Sequence, residues 1–220
     1  MIEYRLIRSN RRTLSISIDE EGALIAHAPA RMPRREIEAF ILQKEGWIAR
    51  KQALVQARAR CAQSASLTDG AQTPFWGETL VIRLESRPDA FEENGTLHLP
   101  EGDAALPCAL QWRRERAQQL ITPRVAAWAK AAGLYPESIA YGNAQKRWGS
   151  MSARRSLRLN AALVHVPPAL CDYVIVHELC HIAHPDHSPA FHAMVRSVLP
   201  EADRLRSALR EWAYVLSIWR

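Results

Sequence analysis

From Tyr173 to His192 the chain reads YVIVHELCHIAHPDHSPAFH, and the spacing of His177, Glu178, His181 and His187 within it decides how the rest is read. Residues four apart share one face of an α-helix, so His177 and His181 can offer two imidazole nitrogens to a single ion with Glu178 alongside. Two ligands do not complete a catalytic zinc site, which keeps three protein ligands and one open position. The third must come from chain that turns back toward the helix, and Pro185 with Asp186 supplies the turn. Proline cannot continue the helical hydrogen-bond ladder, so the helix is expected to end near Ala183 or His184. The apolar run Tyr173, Val174, Ile175, Val176 predicts that this helix is buried, where unpaired imidazoles would be costly.

Six of the eight histidines fall between His165 and His192. His184, Asp186, His187 and His192 all lie near enough to serve as third ligand. His184 would crowd the face already used by His181. His187 is the better candidate, because its offset from His181 equals that of the metzincin pattern. In that pattern a glycine stands three residues after the second histidine; here the position is His184, which argues against a metzincin, and Met194 is expected to pack in a core. Cys180 points away from the two histidines and is read as packing, while His27, His98 and His165 are read as structural.

A chain of 220 residues with seven tryptophans and 48% apolar residues is long enough to bury a substantial core. Cys61, Cys108, Cys171 and Cys180 form no CxxC pair, so neither a disulfide framework nor a thiolate zinc site is expected. The charged, alternating N-terminus shows no export signal and no stretch reaches the length of a membrane span, so a cytoplasmic protein with no membrane partner is expected. The net charge of +6 is spread over RSNRR, ARMPRR, RWGSMSARRSLR and the C-terminal helices, the pattern of a solvated surface.

Residues 4–29 alternate around Asp19 to Gly22 and predict a hairpin. A helix follows from Pro33, bent at Gly46, then a loop from Gln63 to Thr73 and strands over Phe75 to Leu84 and Gly95 to Leu99. The stretch PEGDAALP at 100–107 is the best candidate boundary, giving a β-rich module over 1–105 and a hydrolase domain over 106–220. A long helix should run from Cys108 to Gly133, with strand-like pieces at Ser138 to Tyr141, Arg147 to Met151 and Ser156 to Leu163. The site helix should start near Pro168, another should span Ser188 to Leu199, and a last one should follow through EADRLRSALREWAYVLSIW. The strand SLRLNAALV is a candidate edge for an extended peptide, Arg147, Arg158 and Asn160 are candidate substrate-binding residues, and His192 is read either as supporting the metal ligands from behind or as facing substrate. Trp148 is read as core beside a tight Gly149.

Together, RWGSMSARRSLRLNAALVHVPPALCDYVIVHELCHIAHPDHSPAF resembles the YgjP-like family of metal-dependent hydrolases, relatives of the SprT-like and other zincin metallopeptidases. RRTLSISIDEEGALIAHAPARMPRREIEAFILQKEGWIARK resembles the amino-terminal part of that family. The resemblance implies an α+β fold: a β-rich amino-terminal module and a compact zincin-like domain with the HExxH helix beside a small sheet. It implies His177, His181 and His187 as zinc ligands and Glu178 as the catalytic glutamate. One departure is His192, which follows Phe191 where a large aromatic residue is usual and implies a different cleft floor.

The chemistry expected is hydrolysis in which zinc acidifies its water and Glu178 takes the proton, with Arg147, Asn160, Tyr141 or His192 steadying the oxyanion. A peptide or protein is the first substrate class. A nucleoside triphosphate is the alternative, its phosphates held by Lys146, Arg147, Arg154, Arg155 and Arg158 in a chain without a GxxxxGK[ST] loop. A nucleic-acid-associated module, docking DNA through its basic surface, is a third reading.

Overall fold

The computed structural model describes residues 2–19, 21–49, 51, 52, 55 and 67–219, and the chain divides into two compact units, residues 1–61 and 62–220. In the first unit every second residue of Leu24–Pro29 is buried, the period of a half-covered strand. This strand, β3, is flanked by β1 (Arg5–Ser9) in parallel and β2 (Ser15–Ile18) antiparallel. The expected hairpin is thus β2–β3, tightened by Asp19, whose Oδ1 accepts from the amides of Glu21 and Ala23 at 3.1 and 2.7 Å. Leu24, Ala26 and Ala28 share a core with Ile37 and Ile41 of α1 (Arg34–Gln43) and with Ile48. The helix breaks at Lys44, two residues before the expected bend, and residues 45–49 are helical again. The rest of that expected helix, and Cys61, lie outside the described residues.

The second unit holds two small sheets and four helices among its described residues. Its first sheet runs β4 (Gln72–Phe75), β5 (Glu78–Glu85), β7 (Thr96–Pro100), β6 (Phe91–Glu93). What reads as one strand over Phe75 to Leu84 is therefore the end of β4 and most of β5, joined by Trp76 and Gly77, both at positive φ (53° and 93°), as a tight hairpin turn requires. The boundary expected at 105/106 falls inside this unit. Leu80, Ile82, Leu97 and Leu99 of the sheet lie in one core with Ala109, Trp112, Ile121 and Val125 of α2 (Ala105–Ala132), so separating sheet from helix would expose both apolar faces. The stretch at 100–107 is no linker: β7 ends at Pro100 and a 3-10 turn, Gly102–Ala104, leads directly into α2.

Gly133 closes α2 in the left-handed conformation at φ 67°, as its position predicts. The second sheet follows in the order β8 (Ser138–Gly142), β10 (Ser156–Asn160), β9 (Gly149–Met151), with β8 parallel and β9 antiparallel to β10. β10 stops at Asn160, short of Leu163, because the Asn160 side chain accepts the Ala162 amide at 3.0 Å and turns the chain into a 3-10 helix, Ala161–His165. Next come α3 (Pro168–Cys180), α4 (Pro189–Val198) and α5 (Ala202–Glu211), and the last expected helix gives way to a 3-10 turn at Ala213–Ser217. The fold is mixed α+β. No helix among the described residues is long and apolar enough to cross a membrane.

Candidate active site

α3 is fixed at its start by Pro167 and Pro168 and packed by α2, α4, α5 and β9, so residues 170–176 are buried on every side of the helix. His177 and Glu178 occupy its last turn. The regular helix ends at Cys180, with His181 as C-cap, three or four residues earlier than Pro185 alone predicts. The amides of both Ala183 and His184 reach back to the Cys180 carbonyl, at 3.1 and 3.0 Å, winding the chain into turns before the proline arrives. Ser188 then starts α4, its hydroxyl accepting the Phe191 amide at 3.3 Å, and Asp186 Oδ1 accepts the Ser188 amide at 3.2 Å. His187 is thus carried on a short link pinned by caps at both ends.

On this link His187 Nε2 comes within 3.1 Å of His177 Nε2. His177, His181 and His187 each offer one ring nitrogen, all within 4.8 Å of one another. His181 donates its Nδ1 proton to the His184 carbonyl at 2.9 Å, which leaves Nε2 with a free lone pair. The Tyr173 hydroxyl lies 3.5 Å from His177 Nδ1. Burial, then the neighbouring His181 and His187, pushes His177 down to about 4, so it is a neutral donor at physiological pH. Tetrahedral zinc–imidazole bonds set neighbouring nitrogens about 3.3 Å apart. The donor set fits such an ion in number and type, and the His177–His187 pair already stands at that spacing.

Beneath the three rings lies Phe191, 0% exposed, its centroid 4.9, 4.5 and 5.0 Å from those of His177, His181 and His187. Nothing in the histidine spacing marks Phe191 as part of the site. The available signal was an aromatic residue at the fourth position from His187, just inside a Ser-Pro helix start.

Glu178 is 7% exposed and wedged against β9. A Cβ placed on Gly149 would stand 2.8 Å from Glu178 Cγ and 2.9 Å from Oε1, closer than side-chain atoms approach. Burial lifts the Glu178 carboxyl to about 7, against the Met151 backbone amide and the Arg147 charge, which both favour the carboxylate. Two cavities meet at Gly149, His177 and Glu178. One, of about 410 Å³, runs between α3, α5 and the segment 146–149; the other, of about 680 Å³, lies between β9 and the link that bears His187.

A family profile described as "YgjP-like, metallopeptidase domain" matches residues 12–212. The chain belongs to the YgjP-like family. That family is one of metal-dependent peptidases, and the histidine cluster lies within the matched span. Among curated proteins none matches the chain. One solved structure similar to it is the metallopeptidase zymogen of Pyrococcus abyssi abylysin, 18% identical with a TM-score of 0.38, the match covering 41% of this chain and 91% of that one.

In this YgjP-like chain the other expected site residues separate. Arg147 lines the 410 Å³ cavity with Glu178. Arg158 and Asn160 line, again with Arg147, a hollow of about 180 Å³ that Glu178 does not reach, and Arg158 is exposed between buried Leu157 and Leu159, on the opposite face of β10. The Asn160 amide donates to the carbonyls of Ala144 and Arg147, at 2.6 and 3.0 Å, and so clamps the loop before β9. Tyr141 is held by Thr122 at 2.9 Å, and the His192 ring lies 6.3 Å from His187, lining neither cavity at Glu178. SLRLNAALV is not an edge: β10 lies between β8 and β9, and the edge beside α3 is β9. Trp148, expected in the core, is half-buried and lines the 410 Å³ cavity. Of the five cations considered for a triphosphate, Lys146 and Arg147 line that cavity, Arg155 lines the cleft beside β9, Arg158 shares the 180 Å³ hollow with Arg147, and Arg154 lines none of these.

Proposed function

We propose that this chain is a zinc-dependent peptidase in which His177, His181 and His187 hold the ion and Glu178 is the general base. The convergence of three imidazole nitrogens within 4.8 Å, with a buried carboxyl on the adjoining residue of the same helix turn, carries this reading. When bound, zinc supplies Lewis acidity and lowers the pKa of a water ligand toward about 7. Glu178, buried on the adjoining residue of the same turn, would accept a proton from the attacking water and return it to the leaving amine. Its two supports are Met151, whose amide donates to the carboxylate, and Gly149, whose missing side chain leaves room for it.

The peptide would lie along β9. Bonds from Asn160 N to Trp148 O (2.8 Å) and from Ser152 N to Ser156 O (3.1 Å) turn residues 148 and 152 toward β10, so Gly149 and Met151 turn their backbone groups away from it, the Met151 amide to Glu178 and the Gly149 amide with both carbonyls to the open edge. An extended chain added there would pass the histidine cluster. Of the four side chains considered for the oxyanion, Arg147 shares a cavity with Glu178, whereas Tyr141, Asn160 and His192 do not. The test is metal content of wild type and His187→Ala, with peptide hydrolysis by wild type and Glu178→Gln. About one zinc per chain, weakened by His187→Ala, and turnover lost in Glu178→Gln are expected. Full zinc retention without His187, or undiminished cleavage by Glu178→Gln, would overturn the assignment.

A further inference from the structure

The cavity of about 410 Å³ that opens from Glu178 is not used by the chemistry just described. Its volume is that of a small-ligand site. Its walls are apolar, with Trp148, Val174, Leu209 and Leu216 among the lining side chains. Its charged lining is one-sided: apart from Glu178 at the inner end it consists of Lys146, Arg147, Arg206 and Arg210. Arg206 lies on α5, one turn beyond Asp203, and its charge is felt at both Tyr173 and His177 on α3 across the cavity. Asp203 itself is paired with Arg196 at 3.7 Å. Among the described residues neither Arg147 nor Arg206 forms an ion pair.

Apolar walls with cations among them suit a ligand that has an aliphatic stem and an anionic tip. A phosphate would ask for a cradle of backbone amides, and its second negative charge would sit in the same cavity as the Glu178 carboxyl. A lysine stem fits the walls but meets four cations. Resting on the peptidase reading above, we propose that this cavity is a specificity pocket for a carboxylate on the substrate residue next to the scissile bond, supplied by a glutamate or aspartate side chain and recognised principally by Arg206.

The test measures binding, so it does not depend on turnover. The metal-free full-length chain, ¹⁵N-labelled, is titrated with N-acetyl-glutamate amide and N-acetyl-glutamine amide, two ligands that differ in the charge alone, and with N-acetyl-alanine bearing a free terminal carboxylate. The glutamate ligand is expected to bind about ten-fold tighter than the glutamine ligand, shifting the Gly149 and Val174 amides. Arg206→Ala should remove the discrimination, and Arg206→Glu should reverse it in favour of the glutamine ligand. Tighter binding of the alanine ligand would move the recognised group to a chain terminus and overturn the side-chain assignment. Equal affinity for the glutamate and glutamine ligands, no binding of either, or discrimination that survives Arg206→Ala would overturn the pocket. Glutamate preference in a zinc-loaded protein that cleaves no peptide would instead remove the peptidase reading and leave the pocket standing.

Discussion

Gly149 on β9 and Glu178 on α3 lie so close that a single methyl group at residue 149 would fall 2.8 Å from the glutamate Cγ. The φ of Gly149 is outside the left-handed region, so the backbone itself accepts alanine. Gly149→Ala is therefore expected to act on the carboxylate. It should lower kcat about 100-fold, the scale of a displacement near 1 Å, while zinc content stays at the wild-type value. Parallel measurement of turnover and metal content checks this, and loss of metal in step with activity would contradict it.

Phe191 touches all three imidazoles and is fully buried. Phe191→Ala should cost about 3–5 kcal/mol in urea unfolding of the metal-free chain. Phe191→Leu, which keeps apolar volume but gives up the flat ring, should lose less stability yet still weaken zinc in competition with a chelator. A leucine variant with wild-type zinc affinity would show that the rings are placed without the aromatic floor.

His165 is 0% exposed, donates through Nδ1 to the Pro74 carbonyl at 2.7 Å, and meets the edge of Trp219 at 4.9 Å between ring centroids. Burial, with the nearby Arg113 charge, pushes it down to about 3. The unfolded chain therefore takes up a proton at this residue near pH 6.5 while the folded chain does not. Its contribution to stability is present in full above pH 6.5 and is lost progressively as pH falls toward 3, with a slope of at most about 1.4 kcal/mol per pH unit. Urea midpoints between pH 4 and 7 should fall less steeply in His165→Leu than in wild type. Parallel curves would sink this assignment.

Arg124 of α2 grips Asp172 of α3 through both guanidinium branches, Nε to Oδ1 at 2.7 Å and a terminal nitrogen to Oδ2 at 2.5 Å. Asp172 is buried and Arg124 is partly open, at 36% side-chain exposure, so the pair is worth less than a fully desolvated one. A double-mutant cycle of Arg124→Ala and Asp172→Asn should give a coupling of about 1–2 kcal/mol. Asp172→Asn alone should be milder than Arg124→Ala, which leaves a buried carboxylate unpaired. Coupling indistinguishable from zero would mean the pair only decorates the helix contact.

The histidines that converge are the ones whose spacing singles them out, because helical period and a proline turn are local and can be counted along a chain. The helix start beside Ser188 and the glycine stop at Gly133 were legible for the same reason. What escaped was set by pairing across the chain. The central place of β10 follows from its parallel partnership with β8, which no run of residues announces, and it moved the open edge to β9. The turn at Trp76 was hidden because a tryptophan at positive φ gives no turn signal, leaving Gly77 as the cue. Asn160 looked like a substrate contact since a polar residue before an apolar run does not reveal that its partners are the backbone carbonyls of residues 144 and 147.

The link that carries His187 is tied down by its own caps, and the core beneath the histidines is hydrocarbon. Small zinc domains use the ion as scaffolding and collapse when it leaves. Here the link and its floor are held by the chain's own hydrogen bonds and packing, so a chelator that unfolds a small zinc domain is expected to leave this fold standing.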